Sequence, residues 1–259
     1  MTNTSVLSVS ILPLGRLKLE QSILTYRQGM GTSVDVPVTG AFIEMADGEH
    51  ILFDTGFSPT LHESDEYVPE RLKKLVSQFG REDDIRHHLA QLGYRPEDVS
   101  IVVNSHLHWD HAGGNHLFKG ARFISQDREI RFAGHPDPFV GRVYVPKQYD
   151  WIETMEVLNG DQVIKPGVAL MLTPGHSPGH QSMIVRLPSG KTIILAADAV
   201  FCPANFDPAL PPGNAHNPDE AVMSIQRIRM LGEFLQAETV ICHDPELWAS
   251  WQPCPYRYQ

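Results

Sequence analysis

The stretch VVNSHLHWDHAGGN, residues 102–115, packs His106, His108, Asp110 and His111 into six positions. Imidazole nitrogens and carboxylate oxygens both bind borderline divalent cations, so four such donors in one short stretch point to metal where a single histidine would not. His106 and His108 stand at i and i+2 where an apolar run ends. A strand points alternate side chains the same way, so these two rings can grip one ion. Asp110 and His111 are adjacent, diverge from that direction and suit a second ion beside the first. Three more donors follow strand-like runs downstream: His176 in MLTPGHSPGH, Asp198 in IILAADAV and His243 in TVICHDPELW. Loops after strand ends are where scattered ligands converge. Five imidazoles and two carboxylates, with no thiolate, suit zinc, and iron, manganese or cobalt meet the same softness criterion. Seven ligands would crowd one ion. Two ions about 3.5–4 Å apart, bridged by a carboxylate, share them sensibly and form an established hydrolytic device.

The elements that must position these donors are short. Apolar or alternating runs at 6–12, 51–54, 99–104, 121–125, 168–172, 182–187, 192–197 and 239–242 predict strands. Residues 81–93 predict a helix that buries Ile85, Leu89 and Leu92 and stops at Gly93. Residues 217–236 predict a longer one. Asn217 is its cap, Pro218 fits the first turn, Glu220 completes a capping-box-like pattern, and Val222, Ile225, Ile228, Leu231 and Leu235 form its core stripe. Proline and glycine make 135–148 and 203–218 loops, of the kind that wall active sites. Strands dominate both halves, helices fall between them, and no 20–50-residue period appears, so the fold class is α/β with stacked sheets and no repeat architecture.

Bulk properties narrow the partners. At 259 residues the chain can bury a large core, and it reads as one domain over 1–259. Lys and Arg number 21 against 31 Asp and Glu, a net charge of −10 that repels phosphate backbones and argues against nucleic acid. Cys202, Cys242 and Cys254 show no CxxC spacing and read as reduced thiols. The first twenty residues show no export signal, and no apolar run approaches the roughly 18 residues of a membrane span, so a cytoplasmic location is expected. A small-molecule substrate fits this profile, and a homodimer is compatible with it.

HxHxDH, then TPGH, an Asp at a strand end and a late His, resembles the metallo-β-lactamase superfamily. LGYRPEDVSIVVNSHLHWDHAGGN, TPGHSPGHQS and ILFDTG are similar to its N-acyl-homoserine lactonase branch, and the likeness spans about residues 8–249. The resemblance implies an αββα four-layer sandwich. It also implies that His106, His108 and His176 hold one metal, that Asp110, His111 and His243 hold the other, and that Asp198 bridges them. By the same likeness Asp54 supports a ligand loop, and His176 rather than His180 is the ligand of GHSPGH. His180 is therefore read as structural, and His87, His88, His116 and His216 as surface or packing residues. The implied activity is ring opening of lactones, with N-acyl-homoserine lactones the first choice (quorum quenching), by a hydroxide bridging two zinc ions. Asp110 would be the catalytic residue that takes and returns the proton. Phe201 and Trp109 are assigned to substrate binding. Phe201 stands where lactonases of this type usually carry a tyrosine, which puts lactone specificity in question. Hydrolysis of another carboxylic, thio- or phosphoric ester on the same centre is the first alternative. A di-iron redox or metal-sensing protein is the alternative from another class, disfavoured because the chain has no room for a flavin domain.

Overall fold

The structure, a computed structural model, describes residues 4–63, 67–153, 155–206 and 209–259. Among these residues, strands β1 (Val6–Glu20), β2 (Ser33–Met45), β3 (His50–Phe53), β4 (Val76–Gln78), β5 (Ile101–Val103), β6 (Arg122–Gln126) and β7 (Met155–Leu158) form one sheet, in the order β4-β1-β2-β3-β5-β6-β7. Strands β8 (Gln162–Lys165), β9 (Val168–Leu172), β10 (Gln181–Arg186), β11 (Thr192–Leu195) and β12 (Ala237–Val240) form the second, in the order β12-β11-β10-β9-β8.

Side-chain alternation explains why the sheets stack and why helices cover them. Ile101 and Val103 of β5 join the apolar layer between the sheets, where they share a core with Leu170, Met183 and Ile193 of the second sheet. Val102, between them in sequence, faces the other way into a core with Ile85 and Leu89 of the helix Ile85–Leu92. In β11 the same split sends Ile193 and Leu195 inward and Ile194 outward onto Ile225 and Ile228 of the helix Pro218–Leu235. The layers are thus helix, sheet, sheet, helix, the αββα sandwich.

The parallel strands place the ligand loops. β3 and β5 run parallel with Phe53 level with Val103, and β11 and β12 run parallel with Leu195 level with Val240. Asp54 follows β3 directly, while His106, Asp198 and His243 each lie three residues past the last residue of their strand. Parallel sheets gather functional groups at their carboxyl ends, and here two such ends face each other.

Some local expectations change. Residues 81–93 are a 3-10 turn, Arg81–Asp83, followed by the helix Ile85–Leu92, because the Asp84 side chain accepts the Arg86 N–H at 2.9 Å and starts the helix there. Asn217 caps the long helix by accepting from the Asp219 and Glu220 N–H groups. The loop 135–148 contains 3-10 turns at Gly141–Val143 and Pro146–Gln148. The loop 203–218 contains another at Pro203–Asn205, and its residues 207–208 lie outside the described residues. Strand β2, interrupted in sequence by Pro37 and Gly40, and the helix Asp127–Gly134 had no clear sequence signal. Among the described residues no helix is long and apolar enough to cross a membrane.

Candidate metal centre

All seven donors singled out in the sequence are buried; His108, Asp110, His176, Asp198 and His243 line the floor of one cleft, and His106 and His111 pack against His108 and His243. β5 ends at Val103, so His106 and His108 converge through the turn that follows it and not through the strand's pleat. His106 Nε2 and His108 Nδ1 are 2.8 Å apart, and His176 Nε2 lies 3.2 Å from the first and 3.0 Å from the second. Burial holds His106 and His108 well below the usual imidazole range and takes His176 down to about 4, so all three rings are neutral at pH 7. The Nδ1 of His106 is 3.0 Å from the Ser105 hydroxyl, whose own proton goes to Asp54 Oδ2 at 2.7 Å, so His106 donates there and turns a lone pair toward its neighbours. Converging lone pairs repel, and a cation among the three nitrogens satisfies them together. The residues fit a metal.

The second group is His111, Asp198 and His243, with Asp110 at its edge. Asp198 spans the two groups: Oδ1 is 3.1 Å from His111 Nε2 and 3.3 Å from His243 Nε2, while Oδ2 is 3.2 Å from His176 Nε2. Asp110 Oδ2 stands further off, 3.7 Å from His111 Nε2 and 3.9 Å from His243 Nε2. His111 Nε2 and Asp198 Oδ1 are buried 3.1 Å apart without hydrogen-bond alignment and have no other hydrogen-bond partner, an arrangement a shared cation would satisfy. Burial disfavours charge on His111, yet Asp198, Asp54 and Asp110 together hold it well above the usual range. For Asp198, burial is likewise outweighed by His111, His243 and His176, which hold its carboxyl well below the usual range. A thiol, Cys242, also stands in this group, and burial pushes it up to about 12.

The profile of the metallo-beta-lactamase superfamily matches residues 34–243. The chain belongs to that superfamily. It is a metal-dependent hydrolase of the family's fold, with His and Asp groups disposed for divalent cations. It is 34% identical over 264 residues to the N-acyl homoserine lactonase AttM of Rhizobium radiobacter, covering 94% of this chain and 95% of the relative. The N-acyl homoserine lactonase AiiA of Bacillus thuringiensis subsp. kurstaki is 30% identical over 227 residues, covering 87% of this chain and 88% of the relative. A solved N-acyl homoserine lactone hydrolase, with its product N-hexanoyl-L-homoserine at the catalytic metal centre, superposes with a TM-score of 0.86 at 29% identity, over 98% of this chain and 100% of that one.

In this metallo-beta-lactamase chain, a layer of buried polar groups aims the candidate ligands. Asp54 Oδ2 accepts from His111 Nδ1 at 2.8 Å and Oδ1 accepts the Ser105 N–H at 2.7 Å. Pro37 O takes His243 Nδ1 at 2.7 Å, leaving Nε2 for the centre. His180 accepts the Asp198 N–H at Nε2, at 3.0 Å, and its Nδ1 faces Thr173 O at 3.1 Å, so it braces the Asp198 backbone from behind. Glu129, on the helix Asp127–Gly134, is fully buried and holds two ligand loops together. It accepts from Leu107 N and Tyr144 OH on one side, at 2.9 and 3.0 Å, and from Ser177 Oγ and Gly179 N on the other, at 2.6 and 3.1 Å. The TPGHSPGH loop must lie against backbone to be held this way. A Cβ on Gly179 would sit 2.1 Å from Glu129 N, and one on Gly175 2.2 Å from Ala221 N.

The cleft above the centre has a volume of about 250 Å³, with Leu17, Leu19, Ile23, Leu75 and Val140 along its sides. Phe201 is buried at its floor, stacked on His243 at 4.9 Å between ring centres. Trp109 also lines the cleft, yet it is only 2% exposed, and its ring stacks on Phe57 at 5.0 Å. Glu129 was missed in the sequence. A Glu among charged residues of a short helix reads as a solvated face.

Proposed function

We propose that this chain is one hydrolase domain over residues 1–259 that opens the ring of N-acyl-homoserine lactones on a centre of two zinc ions. The observation that carries the reading is Asp198, whose two oxygens face different imidazole groups. His106, His108 and His176 would hold one ion, and His111, His243 and Asp110 the other. Paired cations, when bound, bring the pKa of water near neutrality and polarise an ester carbonyl. Asp110 faces the cleft at the edge of the second group, positioned to take the proton of the attacking water and return it to the leaving alkoxide. The apolar sides suit an acyl chain, and the relatives' substrates and the product seen in a superposable hydrolase support the same class.

A second reading, an ester without a lactone ring, is favoured by one residue. Phe201 offers no hydroxyl to a developing oxyanion, and a missing donor of that kind can cost about 3 kcal/mol. Proton release measured over acyl-homoserine lactones, simple lactones, aryl esters and phosphotriesters separates the two. The lactone reading expects the highest kcat/KM on the acyl-homoserine lactones, and a clear preference for aryl esters or phosphotriesters would overturn it.

A further inference from the structure

Beyond the donors of the centre, the side chains lining the cleft are apolar or aromatic except for Asn214, which is uncharged, and Arg142. Arg142 stands in the 3-10 turn Gly141–Val143 of the wall and is exposed. The turn is pinned on both sides of its side chain: Arg142 O accepts from Arg71 Nη2 at 2.8 Å, and Val143 O accepts from Trp109 N at 3.0 Å. The guanidinium itself makes no hydrogen bond or ion pair with any described residue. Other surface arginines are paired with carboxylates, Arg122 with Glu156, Arg128 with Glu220 and Arg227 with Asp161. The two carboxylates of the cleft keep to the imidazoles of the centre, and Asp137, on the same wall as Arg142, faces His216 Nε2 at 3.1 Å. The donors of a planar fork are thus left for solvent and for whatever enters the cleft.

We propose that Arg142 reads the arm of the substrate, and that the preferred substrates carry a carboxylate at the far end of that arm. The inference rests on the hydrolase reading above and adds a charge to the acyl chain assigned there. An arm that is apolar throughout satisfies Leu17, Leu19, Ile23 and Leu75 and gains nothing from the guanidinium. One that ends in a carboxylate satisfies both, because the guanidinium fork matches two carboxylate oxygens and a charge-assisted bond is roughly twice as strong as a neutral one. The chain's net charge of −10 repels anions in general, so a cation at the cleft also decides where such a substrate docks. No bond is made or broken at Arg142, and its effect belongs in KM.

Matched pairs of substrates test this, with acyl chains of one length ending in a methyl group or in a carboxylate, each attached both to homoserine lactone and to an aryl alcohol. In low salt the carboxylate member should have the higher kcat/KM by about tenfold, through KM, and the advantage should shrink as salt is added. Arg142→Ala should bring the two members to parity, and Arg142→Lys should keep part of the advantage. A methyl-ended member as good as its partner at every chain length would overturn the proposal. So would an advantage that survives Arg142→Ala, or a loss in that variant shared equally by both members, which is what a merely structural wall residue gives. An advantage that salt does not reduce in the unmutated protein would overturn it without need of any variant. The scaffold decides the other question: hydrolysis of the aryl esters without that of the lactones overturns the lactone reading, and the ester pair then still shows whether Arg142 reads the arm.

Discussion

The floor of the cleft and its wall are held in different ways. On the floor, His106, His111, Asp198 and His243 are at most 3% exposed, and each has a buried polar partner behind it: Ser105, Asp54, the His180 ring and Pro37 O. The wall formed by 135–148 has only short 3-10 turns, and its Phe139 is 71% exposed, lying over His216 with ring centres 5.8 Å apart. Its far end is firmly fastened, by Trp109 N to Val143 O at 3.0 Å, Tyr144 OH to Glu129 at 3.0 Å and Gln148 Nε2 to Tyr67 O at 2.7 Å, so the free part of the wall is its exposed tip around Phe139. Groups fixed by buried hydrogen bonds keep the geometry that chemistry needs, whereas the exposed tip of the wall can change with the substrate. Floor substitutions should therefore damage every substrate alike, and wall substitutions should shift preference.

Asp198→Ala tests the floor most severely. It removes the carboxylate shared by both groups, and turnover on every substrate should fall at least about a thousandfold, about 4 kcal/mol, together with loss of bound metal. Activity within tenfold of the unmutated enzyme would break the distinction. Asp110→Asn should cost about a hundredfold or more in kcat while losing far less metal than rate, since an amide can neither accept nor return the proton. Parallel loss of metal and rate would make Asp110 a ligand only.

Glu129→Ala should be felt mainly in stability, by about 3–5 kcal/mol in denaturant unfolding, because four buried donors lose their acceptor at once. A change below about 1 kcal/mol would show that the two loops hold together without it. Phe201→Tyr sharpens the comparison where floor meets wall. A phenol oxygen that meets the carbonyl only as it becomes an oxyanion should raise lactone turnover up to about tenfold, or about 1.4 kcal/mol, with little change in KM. Slower turnover on both a lactone and an aryl ester would mark Phe201 as a pocket wall. Phe139→Ala, at the exposed tip of the loop, should change kcat/KM by no more than about threefold, and only on long acyl chains. An equal loss on short and long chains would mean that this wall also positions the reacting group.

The α/β class, the sandwich and the family were legible in the sequence because their signals are local. Apolar runs such as IVV at 101–103 and IIL at 193–195 mark strands buried on both faces, and HLHWDH is a dense donor cluster. The seven candidate ligands could be named for the same reason, each following such a run. What escaped depends on contacts between distant segments. Glu129 binds residues 15 to 50 positions away in sequence, and His243 is aimed by the Pro37 carbonyl of β2. The split of 81–93 escaped because Asp84 competes as a cap inside a pattern whose apolar spacing runs on.

The two-ion centre is tested most directly by returning zinc to the metal-depleted protein while following ring opening of an N-hexanoyl-homoserine lactone. The rate should keep rising to the second equivalent of zinc per chain, because Asp198 offers one oxygen to each group. Full activity at one equivalent, unchanged by the second, would contradict it.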